Sequence, residues 1–161
     1  MVLCGMFAAL VAIGAFIQIP VPYMDYFTLQ FFFVLLAGLI LGADKGAISV
    51  GCYVLLGLVG VPIFGYLVGF IVSAYVTGKV CEKLKASYKN YLLACLAGFV
   101  VTYAIGIVYK FIILNFYAHT PATLGVIFLS CFPLDMPGDF VLCLLAAGVG
   151  LRMRKSGFYL S

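Results

Sequence analysis

FFFVLLAGLIL, residues 31–41, decides the fold. A half-buried strand alternates apolar and polar residues with period two, and an amphipathic helix leaves a polar face every 3.6 residues. This run does neither, being apolar on every side, and YLLACLA at residues 91–97 reads the same way. Working outward, the whole chain shares the character. Of its 161 residues 66% are hydrophobic and only 9% charged, with a mean hydropathy of +1.28, whereas a soluble domain carries about 25% charged residues. Such an alphabet cannot cover a water-facing surface without driving association. Lipid accepts it, and in lipid every backbone N–H and C=O must be satisfied internally, which leaves helices or a closed barrel. A barrel needs period-two alternation over about ten residues, and none is present. The prediction is an all-α integral membrane protein.

Six transmembrane helices follow from the breakers, over residues 2–19, 27–41, 47–60, 66–80, 91–116 and 139–151. Pro20 and Pro22 close the first, residues 42–46 with Asp44 and Lys45 separate the second from the third, and Pro62 closes the third. A lysine-bearing loop at 79–89 follows the fourth. His119, Pro121, a short apolar segment at 122–132, and Pro133 to Gly138 precede the sixth. Residues 2–19 are long enough to span and lack the basic start of a cleaved signal, so they read as a retained span. No repeat or linker divides residues 1–161, which form one domain. With both termini in the cytoplasm, eight of the nine Lys and Arg residues fall inside: Lys45, Lys79, Lys83, Lys85, Lys89, Arg152, Arg154 and Lys155. That is the bias of cytoplasmic loops. Only residues 62–66 look wrong, because they leave almost no room to turn between spans three and four: either span three is re-entrant or residues of an outer loop near 64–65 are missing.

The ninth cation, Lys110, lies within span five. A charge at depth costs about 2.5–3.5 kcal/mol on insertion scales and usually faces a cavity or a partner. Two readings stand: a cation lining an outward-facing ligand pocket, or a side chain snorkelling to the interface. Its natural counter-charge is Asp139 at the start of span six, for which the plain alternative is a helix N-cap. Asp25 and Asp135 read as solvated, and His119 as a loop residue. The six cysteines are scattered without a CxxC pair, so no metal site is expected. No catalytic residue or cofactor is indicated either, because nucleophile–base spacing, HExxH and the ATP-binding GxxxxGK[ST] are all missing. The net charge of +4 comes without a basic run interleaved with aromatics, so no nucleic acid partner is expected. Small-residue pairs (Gly5/Ala9, Ala8/Ala12, Gly38/Gly42, Gly65/Gly69) permit close helix approach in lipid, either inside the bundle or, for Ala8 and Ala12, against another protein.

Taken in order, several segments resemble the BioY family, the biotin-binding S component of energy-coupling-factor (ECF) transporters. They are residues 6–15 running into Pro20 and Pro22, Thr28-Leu29-Gln30, Leu36-Ala37-Gly38-Leu39-Ile40-Leu41-Gly42, residues 53–62, Gly65-Tyr66-Leu67-Val68-Gly69-Phe70, and Pro137-Gly138-Asp139. The resemblance covers nearly the whole chain, and the order and spacing are its most specific feature. It implies high-affinity biotin capture from outside the cell. Asp139 would accept the ureido N–H groups, Lys110 would pair the valerate or orient Asp139, and Tyr66, Tyr103 and Gln30 would line the pocket. Ala8 and Ala12 would dock on the transmembrane coupling subunit, two ATPase subunits would drive the cycle, and the subunit would topple in the bacterial plasma membrane to release its ligand.

Two departures are visible. The Pro-Thr-Gly-Gly-Tyr loop usual between spans three and four is not there, since Phe64 meets Gly65-Tyr66 directly. A lysine common three residues after the PGD aspartate is replaced by Leu142. The alternatives are an S component for another vitamin, or a small membrane protein outside transport such as an intramembrane enzyme or assembly factor.

Overall fold

Prolines, glycines and charges set the expected helix ends, and the computed structural model shows the observed ones. It describes residues 2–19, 27–57, 64–112, 115, 125, 127 and 135–157. Among them are six helices: α1 (Val2–Phe16), α2 (Gln30–Leu41), α3 (Ala43–Gly57), α4 (Phe64–Lys83), α5 (Tyr88–Ile112) and α6 (Asp135–Lys155). All six expected helices are present, with shifted ends. The first and second stop short because residues 18–19 and 27–28 form an antiparallel pair, Gln18 facing Thr28 and Ile19 facing Phe27. Pro20 disfavours helix at the residue before it, and pairing satisfies backbone groups that lipid cannot. Gly42 alone turns the chain between α2 and α3, at φ 81°, a left-handed conformation glycine adopts without a Cβ penalty. Asp44, Lys45 and Gly46 therefore belong to the first turn of α3 and are not a loop. The loop expected at 79–89 shrinks to residues 84–87.

The last helix corrects the reading of Asp139. Pro137 and Gly138 looked like a stop, yet α6 begins at Asp135 and runs through them. The first four N–H groups of a helix have no intrahelical partner, so proline there costs no bond. Asp139 is thus one turn inside the helix and is not its cap. At the other end α6 continues through Arg152, Arg154 and Lys155, where the helix dipole favours cations.

Helix α2 is the axis. Ten of its twelve residues are buried, and it packs against α1, α3, α4 and α6. The other five helices bury one face and expose large apolar side chains on the opposite one: Met6 and Ile13, Leu55 and Leu56, Val68 and Val72, Val100 and Val108, Val141 and Leu145. A polar outer face would mark a soluble bundle; an apolar one marks contact with acyl chains. Tyr88–Ile112 and Met136–Lys155 are long and apolar enough to cross a membrane, with mean hydropathies of 2.2 and 1.4.

Cross-contacts fix the direction of each helix. Phe31 meets Phe70 and the Cys81 thiol reaches the Leu39 carbonyl, so α2 and α4 run parallel. The Ser49 hydroxyl bonds the Cys4 carbonyl at 2.6 Å, near the first half of both α1 and α3. Tyr103 pairs with Asp139 and Tyr91 with Arg154, so α5 and α6 are antiparallel. In consequence eight cations gather at one end of the bundle. The ninth, Lys110, sits at the opposite end with Asp139 and Gln30.

Candidate functional site

The site is assembled around the first turn of α2. Phe31 touches Phe70 of α4, with ring centroids 6.2 Å apart, and Phe99 of α5 at 6.4 Å. Phe99 in turn stacks on Tyr103 at 4.6 Å, one helical turn further along α5. Above this aromatic layer the neighbours of α2 keep going. From the level of Phe31, α4 extends six residues past Phe70 to its start, α5 nine residues past Tyr103 to its end, and α6 four residues past Asp139 to its start. At a 1.5 Å rise these are about 9, 13 and 6 Å. The short central helix therefore sits at the bottom of a ring of longer ones.

Polar groups collect on that ring. The Tyr103 hydroxyl donates to Asp139 Oδ2 at 2.8 Å, which orients the carboxylate. Tyr103 is itself buried. A carboxylate carries several acceptor lone pairs and can take more than one donor. Lys110 is half-buried in the last turn of α5, seven residues beyond Tyr103. Two helical turns return to the same face, so Lys110 stands about 10 Å further toward the rim on the Tyr103 side of α5. Lys110 is thus nearer this end of the described bundle than Tyr103 is.

Gln30 opens α2 and is 8% exposed. Gly14 of α1 abuts its backbone, such that a Cβ there would meet Gln30 N and Cα at 3.1 Å. Tyr53 of α3 lies close enough to interact with the Gln30 amide, although Nε2 makes no hydrogen bond of acceptable geometry. Thus Asp139, Lys110, Tyr103 and Gln30 occupy the same end of the bundle. Tyr66 falls in the first turn of α4 at this end, with its side chain outside the described residues. The junction at 58–63, Asp25 and His119 are also outside them.

Ala8 is 7% exposed and packs in the core; Ala12, one turn on, is half-buried. The outward face of α1 carries Gly5, Met6, Ala9 and Ile13 instead. A uniformly apolar helix has no periodicity to show which stripe turns inward. Leu142, found where a lysine was expected, is packed in the core one turn from Asp139. Tyr53, Phe31 and Phe99 were missed, being indistinguishable in sequence from other aromatics in apolar runs. An open recess lined by Asp44, Lys45 and Glu82 lies at the cation end, away from this site, and Glu82 Oε1 is occupied there by the Ala43 N–H at 2.8 Å.

The model of the BioY family matches residues 1–157. The chain belongs to the BioY family. Among relatives, the probable biotin transporter BioY of Lysinibacillus sphaericus is 35% identical over 170 residues, covering 96% of this chain and 86% of that one. The biotin transporter BioY of Thermotoga maritima is 37% identical over 169 residues, covering 94% and 93%. Both alignments are longer than the stretch of this 161-residue chain they cover, so these BioY proteins carry internal residues that this one lacks. A crystal structure of the S-component for biotin from an ECF-type ABC transporter superposes with a TM-score of 0.80 over 96% of this chain and 89% of the other, at 23% identity. That likeness shows the fold, a membrane helical bundle.

Proposed function

We propose that this BioY-family chain is the biotin-binding S component of an ECF-type transporter in a bacterial plasma membrane. Three things support the reading: family membership across residues 1–157, relatives named as biotin transporters, and the geometry of the ring above α2. The observation that carries it is the Tyr103–Asp139 bond. It holds a carboxylate where an uncharged ligand ring can donate its N–H groups. Charge-assisted bonds of this type are about twice as strong as neutral ones.

In this mechanism Asp139 accepts from the ureido nitrogens, and the Phe31–Phe99–Tyr103 stack forms the apolar floor against the bicyclic ring. Lys110, about two turns further out, pairs with the valerate carboxylate at the end of its flexible arm. The chain binds and does not catalyse; a transmembrane coupling subunit and two ATPase subunits supply the work. The face of α1 available to the coupling subunit is Gly5, Ala9 and Ile13. Both termini lie in the cytoplasm, which puts the eight-cation end inside and the Asp139 end outside, in keeping with the positive-inside rule.

Equilibrium binding of labelled biotin to the purified subunit, with thiamin and riboflavin as competitors, tests the reading. Saturable binding displaced by biotin alone is expected. Displacement by another vitamin, or no binding, overturns it. A C-terminal reporter active only in the cytoplasm tests the orientation.

A further inference from the structure

Ligand capture gives no role to the tip where α4 meets α5. Helix α4 ends at Lys83 and α5 begins at Tyr88, so the two form a tight hairpin. Four of the nine cations, Lys79, Lys83, Lys85 and Lys89, fall within residues 79–89, and all four are exposed. The one acid in that stretch is Glu82, whose Oε1 is held by the Ala43 N–H at 2.8 Å. Four lysines less one glutamate leave the tip a net charge of +3. Repulsion among ammoniums this close is relieved by a partner that brings negative charge to them.

Which partner follows from what lies beneath the lysines. Along α4, Val68, Val72, Tyr75 and Lys79 are all exposed, and their spacing of i, i+4, i+7 and i+11 makes them one outward stripe. Helical side chains lean toward the N-terminus, and Lys79 does so, its Nζ lying over the Tyr75 ring at 5.8 Å from the centroid. Along α5, Lys89 is followed on its own stripe by the exposed Leu93 and Val100. At a 1.5 Å rise, Tyr75 and Leu93 are about 6 Å below their lysines, and Val68 and Val100 about 16 Å below. The order is therefore cation, then ring or aliphatic, then aliphatic, with a tyrosine at the level where aromatic residues meet headgroups. A free anion or an acidic soluble protein would use the lysines and leave the apolar stripe bare. A phospholipid uses every level. We infer that the α4–α5 tip seats a phospholipid of net negative headgroup, the phosphate among Lys79, Lys83 and Lys89 and an acyl chain along Tyr75, Val72 and Val68. The positive-inside rule orients a bundle without choosing its lipids; this seat makes the choice. It depends on the membrane fold and not on which ligand the other end binds.

The chain has no tryptophan, so Tyr75→Trp places a single fluorescent reporter at the seat and keeps a ring under Lys79. The full chain carrying it is reconstituted in vesicles of phosphatidylcholine and phosphatidylglycerol, with bromine on the acyl chains of one lipid or the other. Quenching then gives the relative affinity of the two lipids for that position. One lysine near an anionic surface contributes about fivefold, so a preference for phosphatidylglycerol of at least about fivefold is expected. It should fall several-fold when Lys79→Gln, Lys83→Gln and Lys89→Gln are combined, persist when the same three are changed to arginine, and shrink in about 1 M salt. It should be absent at a control reporter, Val141→Trp, on an exposed residue of α6 near the Asp139 end. Equal affinity for the two lipids overturns the inference. So does a preference that the glutamine substitutions leave unchanged, or one that is as large at Val141→Trp. Displacement of the lipid by inorganic phosphate alone would make the tip a phosphate site and overturn the lipid assignment. If the triple glutamine variant does not fold, Lys79→Gln alone decides, with the same expected direction.

Discussion

Asp139→Asn separates the charge of the site from its shape. In the unliganded protein the Tyr103 hydroxyl donates to Asp139 Oδ2 at 2.8 Å. An asparagine Oδ1 can accept the same bond, and the side chain is isosteric. Folding should therefore change little, by less than about 1 kcal/mol, since one neutral bond replaces a charge-assisted one and a desolvated charge is removed. Ligand binding should change much more. On the proposed reading the ligand donates N–H groups to a carboxylate, and the variant offers one neutral acceptor together with an amide N–H that opposes the donors. Bonds to charged groups contribute about 1.5–3 kcal/mol, so the expected loss is roughly tenfold to a hundredfold in Kd. Tyr103→Phe leaves the charge but frees the carboxylate to rotate, and about threefold to tenfold is expected from one lost neutral bond. Because the hydroxyl acts through Asp139, the double variant should fall short of the product of the two effects. The assay is isothermal titration or labelled-ligand binding on detergent-solubilised protein, with unliganded thermal unfolding as the control. If Asp139→Asn binds biotin within twofold of wild type, or unfolds while Asp139 was assigned to binding, the reasoning fails.

Three further outcomes are expected. Lys110→Met should weaken biotin at least tenfold and biotinamide hardly at all, because only the former presents a carboxylate to the rim; equal effects on both ligands would make Lys110 a snorkelling residue. Gly38→Leu should destabilise the bundle by more than the 1–3 kcal/mol typical of added methylenes, since even a Cβ at Gly38 would meet the Ala74 carbonyl oxygen at 2.5 Å; unchanged thermal unfolding would contradict the α2–α4 packing. Glu82→Ala should cost about 1 kcal/mol through the lost cap on the Ala43 N–H, with Glu82→Gln largely neutral and biotin affinity unchanged in both; a change in affinity would tie the cation end to the site.

How much was legible depended on which signal each feature left. Six spans were readable because prolines and charges interrupt runs such as 31–41, and the sorting of eight cations to one end was readable because loops are where lipid tolerates them. Boundaries were not, for reasons specific to each. Asp44 and Lys45 looked like a loop, but a helix that starts at a headgroup-level turn accepts charges in its first turn. Pro137 looked like a stop, although a first-turn proline costs no bond. The pairing of residues 18–19 with 27–28 is too short for any periodicity to register. The site was half legible. Asp139, Lys110 and Gln30 stood out as polar residues in or beside apolar runs, whereas Tyr53, Phe31 and Phe99 carry no local mark, and their place depends on which helix faces which. For the same reason nothing in the sequence showed that Ala8 turns into the core while Ala12 is only half-buried.

The packing beneath the site bears on how a bound ligand could leave. Below Phe31 the centre of the bundle is α2 itself, with Val34, Leu35 and Ala37 fully buried, and Ala74, Cys95 and Ala146 fully buried around it. The Ser73 hydroxyl donates to the Gly98 carbonyl at 3.0 Å and ties α4 to α5, while Thr102 donates to the same carbonyl within α5, also at 3.0 Å, so both hydroxyls are taken up in packing instead of lining a path. Cores at this density do not open a route for a bicyclic molecule without large rearrangement, and separating α2 from α4 would break the close contact at Gly38. An alternating-access motion within the bundle would therefore have to dismantle its best-packed helix. Movement of the whole subunit costs none of that, since the outward faces of the described helices carry large apolar side chains. On the proposed reading, delivery by tilting the intact bundle is the route the packing favours. A cross-link joining α2 to α4 below the site should then leave biotin binding and uptake unimpaired, while uptake abolished with binding intact would show that the bundle itself must open.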